Sequence, residues 1–190
     1  MTRTHISLFN LVLIFLGGLA LIFIIGPLLG MFLQTDAGMF SETLFDTEVQ
    51  ESIGLTLAIS FFGTLFFAIF SIPLAYVLAR KDFFGKRIIT ALIDLPVVIP
   101  HSAAGIAILL FISRDTFLGD IAAFFGFNMV GHPVGIALAM SYVSIPFLIN
   151  AARDGFRSVP ERYEKAALSL GASHIRVFFT VSLPLAWRSI

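Results

Sequence analysis

Two ionisable residues, Asp94 and His101, stand inside an apolar run from Ile88 to Ile112. A carboxylate and an imidazole seven positions apart fall on nearly one face of an ideal helix. That is a possible proton or cation relay, and an ionisable group within a span is a functional candidate by default. Between them Pro96 and Pro100 each remove a backbone hydrogen bond, which interrupts a membrane helix and works against a shared face. Ser102, Ala103, Ala104 and Gly105 follow, all small enough for close helix packing or for space around an ion. Asp94, Pro96, Pro100, His101 and Ser102 are therefore the candidates for a translocation path or gate. Plainer readings stand beside this one. Asp94 lies seven residues past Arg87 and suits a pair with a basic group at the end of the span. His101 suits a neutral imidazole bonded to a carbonyl freed by the prolines. Other chemistry is absent. There is no cysteine for thiolate or disulfide work, and no Gly-x4-Gly-Lys-Ser/Thr loop for nucleotide phosphates. No catalytic residue and no metal ligand is assigned.

The second informative stretch is polar: residues 158–184, SVPERYEKAALSLGASHIRVFFTVSLP. Ser158 and Glu161 form a Ser-x-x-Glu capping box around Pro160, which suits an early helical position. Residues 161–170 read as helix. Gly171 supplies a left-handed stop, Ser173 caps a second short helix through Phe178 and Phe179, and Pro184 disrupts the turn after it. Tyr163, Ala166, Ala167 and Leu170 repeat at i, i+3, i+4, i+7, one apolar stripe of the kind that lies in a partner's groove. Part of that stripe is also expected to pack on the chain's own helices. Glu161, Arg162, Glu164 and Lys165 are expected to form a charged rim that sets partner choice more than affinity.

These elements hang on a membrane protein. Of 190 residues, 58% are hydrophobic and 13% charged, half the charge of an ordinary soluble domain. Mean hydropathy is +0.97 and net charge zero, so no global field for nucleic acid arises. Four apolar runs are long enough to span, at about 6–33, 53–78, 88–112 and 134–150, the second and fourth containing Pro73 and Pro146. Residues 34–51 and 114–133 read as loops, with an apolar centre at 117–127 fit for the interface. Of twelve Lys and Arg, only Arg114 falls in those two loops. Arg80, Lys81, Lys86, Arg87, Arg153, Arg157, Arg162, Lys165 and Arg176 fall in the alternate ones, so the N-terminus and the stretch at 152–184 are expected in the cytoplasm of a multi-pass cell-membrane protein.

The polar stretch resembles the EAA loop of ABC importer permeases. Lys165-Ala166-Ala167 precedes Gly171 at the family's spacing, and nine residues intervene before Val181-Ser182-Leu183-Pro184. Lys165 stands where the family often has Glu, with Glu164 just before it, and Val181 replaces Ile. Asp94 to Leu110, Ser144 to Val159 and Ile175 to Trp187 look like molybdate/tungstate permeases of the sulfate/molybdate group. The resemblance implies an all-α polytopic permease domain over residues 1–190 that works as a homodimer. It implies coupling residues Glu161, Tyr163, Glu164, Lys165, Ala166, Ala167, Leu170, Gly171 and Ala172, docked in a cleft on separate ATPase subunits that hold ATP and Mg. It implies an extracytoplasmic oxyanion-binding protein, and no cofactor or enzymatic activity in this chain. Sulfate is the near alternative cargo, and an ion-coupled secondary transporter using Asp94 and His101 the alternative of another class. Against the family's length, residues 185–190 read as the entrance to a fifth span. The chain as given is then expected to carry four of about six spans and not to transport by itself.

Overall fold

The computed structural model of the chain describes residues 7–190. Ile6, where the first span was expected to begin, lies outside the described residues. Everything regular among these is helical. The chain separates into two compact units, the first ending at Ile53 and the second running Gly54–Ile190.

The first unit holds α1 (Leu8–Gln34), α2 (Ala37–Phe45) and the start of α3 (Thr47–Arg80). The Ser7 hydroxyl accepts from Asn10 N at 3.3 Å and starts α1. No described residue of α1 is buried, which suits a helix apolar all round whose solvent is lipid. The expected loop at 34–51 is helical instead. The Asp46 carboxylate accepts from Glu48 N at 2.8 Å, and Glu48 sits in the first turn of α3. Acidic side chains placed there favour helix over loop.

The second unit holds the rest of α3, then α4 (Lys86–Val98), α5 (His101–Ile112), α6 (Phe117–Phe124), α7 (Pro133–Ser158), α8 (Glu161–Ser169), α9 (His174–Val177) and α10 (Leu183–Ala186). Among the described residues, α1, α3 and α7 are long and apolar enough to cross a membrane, and α4 with α5 make a fourth span if the pair is counted as one. That pair is bent by 111°. The break falls at Ile99 and Pro100, while Pro96 is tolerated, buried, inside α4.

Pro146 does not end α7. The helix runs on to Ser158 with Pro146 buried, so Arg153 lies within it and not in a loop. Packing by neighbouring helices lets membrane helices tolerate such a proline. The capping box fails for the same reason. Ser158 is the last residue of α7 and its hydroxyl donates to Gly155 O at 2.7 Å, while α8 begins after Pro160 with no side-chain cap.

Two buried clusters hold this unit. Ala75, Leu78, Ile149, Ala152, Phe156, Val159 and Ala186 pack where α3, α7 and α10 meet. Small residues bring the backbones close: a Cβ built on Gly155 would stand 2.9 Å from Ser189 Cβ and 3.1 Å from Ala186 O. Ile112, Ala122 and Met129 form the second cluster, between α5, α6 and the start of α7.

Candidate functional site

The polar stretch folds as a helical hairpin outside the long helices. α8 ends in a Schellman arrangement, with Ala172 N on Ala167 O at 3.1 Å and Gly171 N on Leu168 O at 2.9 Å. Gly171 takes φ of +85°, a region that costs any residue with a Cβ about 1–2 kcal/mol. The Ser173 hydroxyl then caps α9 by accepting from Arg176 N at 3.3 Å. Pro184 does not break the chain after α9. The backbone widens into a π-helical turn, Phe178–Ser182, before α10, one way to absorb a proline's missing donor without leaving the helix.

One face of α8 is inverted relative to the usual amphipathic helix. Its apolar stripe is outward: Tyr163 is 46% exposed, Leu170 89%, and Ala166 is exposed too, while Ala167 and Ala172 are half-buried. Its buried residue is a carboxylate, Glu164. Glu164 therefore does not stand in the charged rim with its neighbours. Glu161 and Lys165 do, paired at 3.1 Å, and Arg162 lies over the Tyr163 ring at 5.3 Å.

Glu164 points into the second unit because four donors there converge on it. Arg80 Nε donates to Oε1 at 2.8 Å and Arg80 Nη2 at 2.7 Å. Ser182 Oγ donates to Oε1 at 2.9 Å and Tyr76 Oη to Oε2 at 3.0 Å. Arg80 Nη2 also donates to Val159 O at 2.9 Å. The placement follows from helix ends. Arg80 closes α3, Glu164 opens α8, and each charge suits the dipole of its own helix. Tyr76 precedes Arg80 by one turn and shares its face. Tyr76, Phe156 and Phe178 cover the cluster, with ring centroids 5.1 to 6.0 Å apart. Burial pushes the Glu164 carboxyl up, but the hydrogen bonds from Arg80, Ser182 and Tyr76 and the Arg80 charge outweigh it and hold the group below the usual carboxylate range.

The broken span gives a second feature. His101 opens α5 and lines an open, mostly apolar cavity of about 500 Å³, where Ser60, Thr64, Ser141 and Ser144 stand among Ile59, Ala104, Ala139, Met140 and Val143. Asp94, Pro96, Pro100 and Ser102 lie outside that lining. Asp94 and His101 do not share a helix face, since the 111° bend falls between them. Asp94 instead accepts from Asn150 Nδ2 at 2.7 Å, tying α4 to α7, and no cation pairs with it among the described residues. Thr64 was not singled out in the sequence, although it stands one turn beyond Ser60 on the same helix. Arg80, Tyr76 and Ser182 were missed as partners of Glu164, because nothing local links residues 80, 164 and 182. Among the described residues no group of three or more His, Cys, Asp or Glu is placed to hold a metal ion.

Residues 71–190 match the family described as binding-protein-dependent transport system inner membrane component. Molybdate/tungstate transport system permease protein WtpB of Thermococcus kodakarensis is 43% identical over 177 residues, 92% of this chain and 66% of that protein. Its counterpart in Pyrococcus furiosus is 44% identical over the same shares of both chains. A probable sulfate transport system permease protein of Chlorella vulgaris is 34% identical over 136 residues, 72% of this chain and 51% of that one. The chain thus spans just under two thirds of the molybdate/tungstate relatives. A chain of a bacterial ABC transporter involved in the import of the acidic polysaccharide alginate superposes with a TM-score of 0.67 at 16% identity, over 93% of this chain and 68% of that one. That likeness shows a shared fold.

Proposed function

The chain belongs to the family of binding-protein-dependent transport system inner membrane components, and on that premise we propose that it is the permease of an ATP-driven importer of molybdate or tungstate. It acts as one permease domain in a homodimer, with its N-terminus in the cytoplasm. Residues 152–184 couple it to a separate ATPase subunit that holds ATP and Mg. An extracytoplasmic binding protein delivers the oxyanion.

The observation that carries this reading is the inverted helix α8. Tyr163 and Leu170 are exposed on a hairpin that also carries Arg162, Lys165 and Arg176, charges that keep it out of lipid. An apolar ridge held in water beside small Ala166 suits a protein groove. ATP-driven closure of two ATPases then moves two such hairpins and switches the permease between outward- and inward-facing states.

The cavity at His101 suits a doubly charged oxyanion in transit. Its hydroxyls and the N-terminus of α5 solvate an anion without a fixed cationic cage, so that the ion can leave. Placing Asp94 outside the cavity, bound to Asn150, speaks against an Asp94–His101 relay and thus against ion-coupled transport. Identities of 41% to 44% to molybdate/tungstate permeases against 30% to 38% to probable sulfate permeases favour the former cargo. The test is purification of the protein from native membranes, followed by uptake of labelled molybdate, tungstate and sulfate into proteoliposomes. ATP-dependent uptake with molybdate or tungstate preferred supports the reading. Uptake without any ATPase, or a preference for sulfate, overturns it or its cargo.

A further inference from the structure

Glu164 has no part in a docking surface, because its carboxylate is turned away from solvent and saturated from within. Its four donors come from two separate segments: Tyr76 and Arg80 at the end of α3, and Ser182 in the π-helical turn that leads to α10. Through the second bond of Arg80 Nη2 to Val159 O, the end of α7 is held as well. Three hydrogen bonds from α3 to α8 end on this one carboxylate. The Arg80 and Glu164 side chains are 7% and 10% exposed. Charge-assisted bonds of this kind are short and directional, and burial keeps water from replacing them. An exposed pair such as Glu161 with Lys165 exchanges freely with solvent and holds no fixed geometry.

We propose that Glu164 is a positioning residue that joins the coupling hairpin to the membrane helices, so that α8, the end of α3 and the π-helical turn move as one body. This rests on the function proposed above. Force applied to the exposed face of α8 reaches α3 and α10 through the Glu164 carboxylate, with the rings of Tyr76, Phe156 and Phe178 excluding water around it. Docking and transmission are thereby separated on one short helix: Tyr163, Ala166 and Leu170 face the partner, and Glu164 faces the permease.

The test uses the assembled transporter in proteoliposomes and reads two quantities: ATPase retained on purification, and ATP hydrolysed per labelled molybdate taken up. For Glu164→Gln the expected result is ATPase retention near that of the unaltered protein with ATP consumed per molybdate raised about tenfold, within the usual range of coupling between sites. The exchange Arg80→Glu with Glu164→Arg should bring the ratio back toward its original value. Should Glu164→Gln not accumulate, Tyr76→Phe and Ser182→Ala each remove one bond and keep the ion pair, and each should raise the ratio by a smaller factor. An unchanged ratio in Glu164→Gln, or in both single-bond variants, overturns the joint while leaving the proposed function standing. An unaltered protein that retains no ATPase overturns the proposed function and the joint with it.

Discussion

The hairpin joint and the cavity at His101 are built on opposite terms. At the joint a buried carboxylate takes four hydrogen bonds, two of them from one guanidinium. In the cavity the polar groups are the His101 imidazole and four hydroxyls, and none of the hydroxyl bonds described involves a charged group. Ser144 Oγ donates to Met140 O at 2.7 Å within its own helix, and Ser60 Oγ reaches Met140 Sδ at 4.0 Å. Transmission of force needs one geometry that does not slip. Passage of an ion needs contacts weak enough to be abandoned. Arg80 and Glu164 sit at the ends of α3 and α8, whereas serine and threonine hydroxyls lie with His101 along the cavity.

Substitutions should separate the two regions by size of effect. Arg80→Ala leaves the Glu164 carboxylate buried without its cation and should cost about 3–5 kcal/mol, read as a loss of thermal stability in detergent. A drop no larger than that of an exposed pair would place the charge outside the core of the fold. Gly155→Leu forces α7 away from α10 and should cost about 1–3 kcal/mol, with residues 183–190 becoming protease-sensitive. Gly171→Trp meets the left-handed φ rather than a clash, since no atom lies within 4 Å of a Cβ there. About 1–2 kcal/mol of strain should open the hairpin and abolish ATPase retention. In the cavity, Ser60→Ala or Ser141→Ala should change stability by about 0.6 kcal/mol. A change as large as at Arg80 would make the cavity a structural network instead of a path.

Acidity sharpens the same contrast. The folded Glu164 carboxyl titrates below its unfolded value, so the joint's contribution is present above that value and is lost as pH falls through the lowered one. Hairpin protection against proteolysis should be flat from neutral pH through the ordinary glutamate range and fall only on the acid side of it. Loss of protection near pH 6 would point to a histidine instead.

Local grammar made much of this legible. Hydropathy located the long helices, Gly171 and Ser173 marked the hairpin, and Pro100 marked the break before His101, whereas Pro96 stays within α4. The errors share a cause. Ser158 carries a cap signature, but α7 runs over it because Ala152, Gly155 and Phe156 are buried against α3 and α10. Residues 34–51 look like a loop by charge, yet acids at helix starts are helix signals. Glu164 reads as surface because its partners lie 84, 88 and 18 positions away, and no periodicity records such a meeting.

The exposed face of α8 is the surface proposed to meet an ATPase, and the absence of cysteine from the chain makes that contact measurable. Single cysteines at Tyr163 and Leu170 would be labelled with a membrane-impermeant maleimide in native membranes, with and without the ATPase bound. Rapid labelling is expected at both positions when the ATPase is stripped away, and protection of both, with cross-links to the ATPase, when it is bound. Equal labelling in the two conditions, with no cross-link from either position, would contradict the proposed contact.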